Sequence, residues 1–176
     1  VIIFSHSIYV DQWDWEKIIT RENRNLDFLQ LIVKSIVGAI CKTNERVHVH
    51  YPQIDIRLSE DVAFITSQEL EDMYPDLTSK ERENAFVKDH HTAAIMQIGG
   101  ALKSGLPHDG RAPDYDDWEL NCDIFFWHET LQQAMEVSSM GIRVDAESLA
   151  RQLRIAGCED RRSLPFHKML LNDELP

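Results

Sequence analysis

A chain of 176 residues, 43% hydrophobic and 27% charged, has the length and composition of one soluble globular domain with a real core, read here as residues 1–176. Thirty acidic against 18 basic side chains give a net charge of −12, a surface that repels phosphate backbones and argues against a nucleic-acid partner, while leaving small cationic or metal-bridged ligands open. Cys41, Cys122 and Cys158 are few, far apart and without a C-x-x-C spacing, and the apolar Val1-Ile2-Ile3-Phe4 is too short for a signal peptide or membrane span, so a reduced, cytoplasmic protein with no membrane partner is expected.

The first element is His6 to Glu16, in which Trp13 and Trp15 bracket Asp14. Alternation along an extended segment sends Gln12, Asp14 and Glu16 to one face and Asp11, Trp13 and Trp15 to the other. The polar face can hold an amino-acid-like ligand, because a carboxylate accepts from an ammonium and a carboxamide both donates and accepts. An amphipathic edge strand with a solvated acidic face has the same pattern. The tryptophans are expected to be buried anchors.

Leu29, Ile32, Val33, Ile36, Val37 and Ile40 recur at helical spacing and predict a helix over Leu26 to Ile40. His48-Val49-His50 reads as part of a strand. Asp61 to Ile65 is a short strand, and Thr66 with Glu69, then Thr78 with Glu81, are capping-box starts of two helices. The first stops at Tyr74-Pro75 and the second runs to about Asp89. Ala93 to Ile98, Cys122 to Trp127 and Met135 to Val144 are strands, with a Gly-, Pro- and Asp-rich loop over residues 103–115. Asp145 caps a helix over Ala146 to Ile155 that ends at Gly157, and Leu164 to Asn172 forms a last short helix. The fold class expected is α+β, a mostly antiparallel β-sheet flanked by helices.

Two further clusters can carry chemistry. Arg111-Ala112-Pro113-Asp114-Tyr115-Asp116-Asp117-Trp118 packs three carboxylates into four positions, which repel one another unless a cation, an ammonium or a metal sits among them. An acidic loop can also simply be solvated; here Tyr115 and Trp118 would fix its direction. The other cluster joins Asp123 on one strand to Glu136 and Ser138-Ser139-Met140-Gly141-Ile142-Arg143 on the next. Asp123 and Glu136 on one face, with an arginine near, suit Mg²⁺ bridging nucleotide phosphates, and equally suit a cross-strand salt bridge with Arg143. His48/His50, His90/His91 and His108 lack zinc-site spacing and are not expected to bind metal. Neither a P-loop nor a G-x-S-x-G nor a Rossmann fingerprint is present, so a nucleotide would be held by strands and arginines.

Together the segments HSIYVDQWDWE, RAPDYDDW and EVSSMGIRVDAESL resemble ammonia-dependent asparagine synthetase, the aspartate–ammonia ligase family. SQELEDMYPDL and GCEDRRSLPFHKMLLNDELP are similar to the same family in the same order, so the resemblance runs from His6 to Pro176, whereas Val1 to Ser5 looks unlike it. The resemblance implies a catalytic core like that of class II aspartyl- and asparaginyl-tRNA synthetases and a homodimer. It implies an ATP-dependent ligase that makes L-asparagine from L-aspartate and ammonia through a β-aspartyl adenylate, releasing AMP and diphosphate.

By that resemblance Gln12, Asp14 and Asp116 position aspartate, and His6 and Val10 line the AMP side. Arg111, Asp123, Val137, Ser138, Ser139 and Arg143 match nucleotide contacts. Asp123 and Glu136 are the metal candidates, from the class II analogy together with the strand argument. The family also has segments before His6 and after Pro176 that carry further substrate-binding residues and arginines, and a Gly-containing loop where this chain has Glu119-Leu120. The chain is therefore expected to be the central part of the family's catalytic domain. The alternative is a truncated, inactive synthetase-like module that binds aspartate, asparagine or AMP. The acidic charge argues against tRNA charging, and no glutaminase cysteine constellation replaces free ammonia.

Overall fold

The computed structural model describes residues 14–54 and 56–175. His6, Val10, Gln12 and Trp13 lie outside the described residues. Residues 14–20 are not in a strand, and Trp15 is 53% exposed, so this tryptophan is not the buried anchor expected of it.

A 3-10 turn over Arg21–Asn23 leads to Asn25, whose side chain accepts from the Phe28 amide and caps α1, Leu26–His50. The helix runs ten residues past the expected end at Ile40. His48 and His50 therefore lie on its last turn rather than on a strand. Val47 and Val49 favour strands only when a sheet receives them; here the helix continues until Tyr51, which precedes Pro52 and so leaves the helical region. His48 Nδ1 donates to the Ile54 carbonyl at 2.9 Å and fastens the turn that follows.

The sheet has the order β1 (Ala63–Thr66), β2 (Thr92–Met96), β3 (Asp116–His128), β4 (Gln133–Arg143). β1 pairs with β2 in parallel; the β2–β3 and β3–β4 pairings are antiparallel, as expected of a mostly antiparallel sheet. Both expected capping boxes form, at Thr66/Glu69 on α2 (Ser67–Met73) and Thr78/Glu81 on α3 (Ser79–His90). These helices supply the crossover from β1 to β2. Asp145 caps α4 (Ala146–Ile155), and α5 spans Pro165–Leu171.

Alternation along the strands makes two cores. Leu29, Val33, Val37 and Cys41 of α1 bury against Ala94, Met96, Cys122, Ile124 and Phe126. Ala93, Ile95 and Phe125 point the other way, onto Leu70 of α2 and Phe86 and Val87 of α3. β2 is buried along its whole length, and β3 is buried from Asn121 to Phe126, which explains the near-continuous apolar run in each. β4 is one of the two edge strands and leaves several side chains exposed. Among the described residues, no helix is long and apolar enough to cross a membrane.

Candidate active site

β3 and β4 shape the site through two irregularities in their register. Ile124 faces Ser138, but Phe125 faces Glu136, so Val137 is an extra residue in β4. In an unbroken register Glu136 would oppose Phe126 and point toward α1. The bulge instead turns Glu136 to the face that carries Asp123 and Phe125. The second irregularity sets Asp116 opposite Arg143 and Asn121 opposite Gly141, which leaves residues 117–120 of β3 as a bow without partners in β4. Gln152 of α4, fully buried, satisfies that bow: it accepts from the Trp118 amide at 2.9 Å and donates to the carbonyls of Pro113 and Asp116 at 3.0 Å each. Gly99, at φ +122°, admits the Trp118 indole, which a Cβ there would meet at 2.5 Å.

Arginines neutralise the three crowded carboxylates of the acidic loop, and Asp117 has two of them, since Arg151 Nη2 donates to it at 3.4 Å besides Arg24. Arg161 Nη1 donates to Asp114 at 3.1 Å, Arg143 Nη1 to Asp116 at 2.6 Å, and Arg24 Nη2 to Asp117 at 2.5 Å. The cation expected among these aspartates is thus supplied from within the chain. Arg143 also donates to Glu16 at 2.8 Å, and its guanidinium stacks 3.5 Å from the Tyr115 ring centroid. The fork and the stack together fix the guanidinium plane. Tyr115 is itself exposed, so it anchors by stacking; Trp118 is the buried anchor of the loop.

Asp123 pairs with Arg111, and the cross-strand salt bridge to Arg143 does not form. Arg111 donates through Nη2 to Asp123 and through Nη1 to the Ser139 hydroxyl, and so ties the loop to β3 and β4. Burial pushes the Asp123 carboxyl above its ordinary value, with the Arg111 charge and hydrogen bond opposing. The Glu136 carboxyl is also raised, by desolvation first and then by the negative charge of Asp123, against the pull of Lys80. The charge of Asp123 therefore reaches Glu136 on the face they share.

Asp14, Arg111, Asp116, Ser138, Ser139 and Arg143 all line one cleft of about 1020 Å³ at the β4 edge. Because Ser138 and Ser139 point to opposite faces of β4, both reach the cleft only by its wrapping around this edge strand. Val137, Asp123 and Glu136 are not on its wall; Asp123 is joined to it through Arg111, and Val137 is the exposed bulge residue. Sequence reasoning passed over Arg24 and Arg161. Their partners lie 93 and 47 residues away, and no local pattern marks such pairs. His108 is buried with its Nε2 3.2 Å from Glu83.

Guanidinium groups, serine hydroxyls and carboxylates thus gather around one edge of a helix-flanked, mostly antiparallel sheet in an α+β protein. The sequence matches the family described as Aspartate-ammonia ligase over residues 2–176, and the chain belongs to that family. The match reaches back to Ile2, so the opening residues are not foreign to the family, contrary to expectation. Aspartate–ammonia ligases of Levilactobacillus brevis and Clostridium tetani are 59% and 58% identical over 97% and 98% of this chain, and that of Fusobacterium nucleatum is 56% identical over 98%. The chain spans about half the length of these relatives, 51%, 50% and 53% respectively.

Proposed function

We propose that the protein carrying this chain is an ATP-dependent ligase that forms L-asparagine from L-aspartate and free ammonia. The aspartate β-carboxylate attacks the α-phosphorus of ATP and diphosphate leaves; ammonia then attacks the β-carbonyl carbon of the mixed anhydride and AMP leaves. The observation that carries the reading is the convergence of Arg111, Ser139, Arg143 and Asp116 on one cleft in a chain of this family.

In this reading Arg111 and Arg143 donate to the nucleotide, beside Ser138, Ser139 and Val137, with His6 and Val10 on the AMP side. Charge-assisted bonds of this kind contribute about 1.5–3 kcal/mol each. Gln12 and Asp14 orient aspartate. Arg143 takes Oδ1 of Asp116, and Oδ2 receives the substrate ammonium. Positioning and charge complementarity supply most of the acceleration, and exclusion of water protects the anhydride.

The residues fit Mg²⁺. Asp123 and Glu136 share one face, and the charge of Asp123 makes ionising Glu136 more costly, a cost that a divalent cation would relieve. Among the described residues no group of three or more His, Cys, Asp or Glu could hold a metal ion; Mg²⁺ is commonly bound by one or two carboxylates, with water and substrate phosphates completing its shell. When bound, the ion would neutralise phosphate charge. We further propose the class II synthetase-like arrangement for the sheet, a homodimer in the cytoplasm, and no nucleic-acid or membrane partner. Aspartate-dependent exchange of labelled diphosphate into ATP by the full-length protein tests the first half-reaction. Exchange supports it; binding of AMP or asparagine without exchange would replace it with an inactive binding module.

A further inference from the structure

We propose that Arg24 is a positioning residue that sets Arg143 and the Asp116–Asp117 pair for the cleft, a proposal that rests on the functional reading above. Arg24 stands between the 3-10 turn and the Asn25 cap of α1. Its side chain is only 18% exposed, and its guanidinium reaches three separate parts of the chain. Nε donates to Asp145 at 2.9 Å, Nη1 to the Arg143 carbonyl at 2.6 Å, and Nη2 to Asp117 at 2.5 Å and Ser148 Oγ at 3.2 Å.

Each acceptor has a consequence at the cleft. Holding the Arg143 carbonyl fixes the base of the side chain that stacks on Tyr115 and grips Asp116. Holding Asp117 fixes the residue that follows Asp116 at the start of the β3 bow. Holding Asp145 ties both to the start of α4. Arg24 borders the cleft, but its nitrogens are taken up by Asp145, the Arg143 carbonyl, Asp117 and Ser148, so it acts through Arg143 rather than on substrate. A planar fork meets these acceptors from one point, and a lysine ammonium lacks that geometry.

A purely structural tie between α1 and α4 would lower activity in proportion to folding, whatever residue stands at 143. A positioning role couples the two sites, and a double-mutant cycle separates these cases. In the full-length protein, R24Q is expected to lower aspartate-dependent ATP–diphosphate exchange at least 30-fold and R24K about 10-fold. In an R143Q background, either change should cost less than 3-fold more. Amide hydrogen exchange should quicken at Val144, whose N–H bonds the Tyr115 carbonyl, and at Trp118.

Losses that multiply in the double variants, or unaltered protection of both amides in R24Q and R24K, would overturn the proposal while leaving the functional reading intact. A wild-type protein without exchange would overturn both. R24K keeps the charge and serves should R24Q fail to fold.

Discussion

Gly141→Ala adds one methyl group on β4 directly against β3. A Cβ at Gly141 would lie 2.8 Å from Asn121 Cβ and 2.8 Å from both Cβ and Cγ of Asp116. Carbon atoms normally rest about 3.5–4.0 Å apart, so three contacts overlap by roughly 0.7 Å or more. Neither neighbour moves freely. Asn121 is fully buried and exchanges two hydrogen bonds with the Ile98 backbone, each 2.8 Å, and Asp116 is held by Arg143. Overpacking costs about 1–3 kcal/mol, and loosening the Asn121 pair adds about 1 kcal/mol, for a total of about 2–4 kcal/mol. Gly38→Ala is the matched control: it lies within α1 with nothing inside 4 Å of a new Cβ, and should gain about 0.5–1 kcal/mol from helix propensity. Urea denaturation of both variants in the full-length protein should move their midpoints in opposite directions. A G141A midpoint at or above that of the wild type would refute the reasoning.

Asp145 gives the stability a pH dependence. Against the upward push of partial burial, the amide and hydroxyl of Ser148 and the Arg24 charge lower its carboxyl to about 2. A depressed folded value stabilises above the unfolded value of about 3.9 and is lost as pH falls toward 2. The shift is worth about 2.5 kcal/mol at face value, which screening of this half-exposed carboxylate reduces to about 1 kcal/mol. D145N should therefore flatten the loss of urea stability between pH 4 and pH 2, and an unchanged slope would count against the assignment. Thr66→Ala removes a hydroxyl that accepts from the Glu69 amide at 3.1 Å and donates to its carboxylate at 2.8 Å, so urea titration should register a loss of about 1 kcal/mol. Cys41 and Cys122 are buried and Cys158 is partly exposed. A thiol reagent followed by mass mapping should label Cys158 first and the other two only on unfolding; early labelling of Cys122 would contradict the packing of β3.

The elements legible in the sequence are those whose signals are local. Both Thr–Glu capping boxes and the Asp145 cap form because their partners lie three residues away. The apolar stripe of α1 identifies its buried face but not its end, since beyond Cys41 the helix presents polar residues and two β-branched valines to solvent. At the site, the conjunction of Asp123 and Glu136 on one face was anticipated, but it depends on a bulge at Val137 that simple alternation does not reveal. The arginine assigned to each aspartate was out of reach for another reason. Arg24, Arg143 and Arg161 meet the acidic loop only after strands and helices from distant parts of the chain have packed. Trp15 misled because alternation assigns a face only if a sheet receives the segment, and residues 14–20 join none.

The central claim is tested most directly by supplying the full-length protein with ATP, Mg²⁺, L-aspartate and ¹⁵N-ammonium and following the label. The expected result is ¹⁵N in the side-chain amide of asparagine, with one AMP and one diphosphate for each asparagine formed, and loss of the signal in R143Q and R111Q. Asparagine accompanied by ADP and phosphate, or label retained as free ammonium while AMP and asparagine bind, would contradict it.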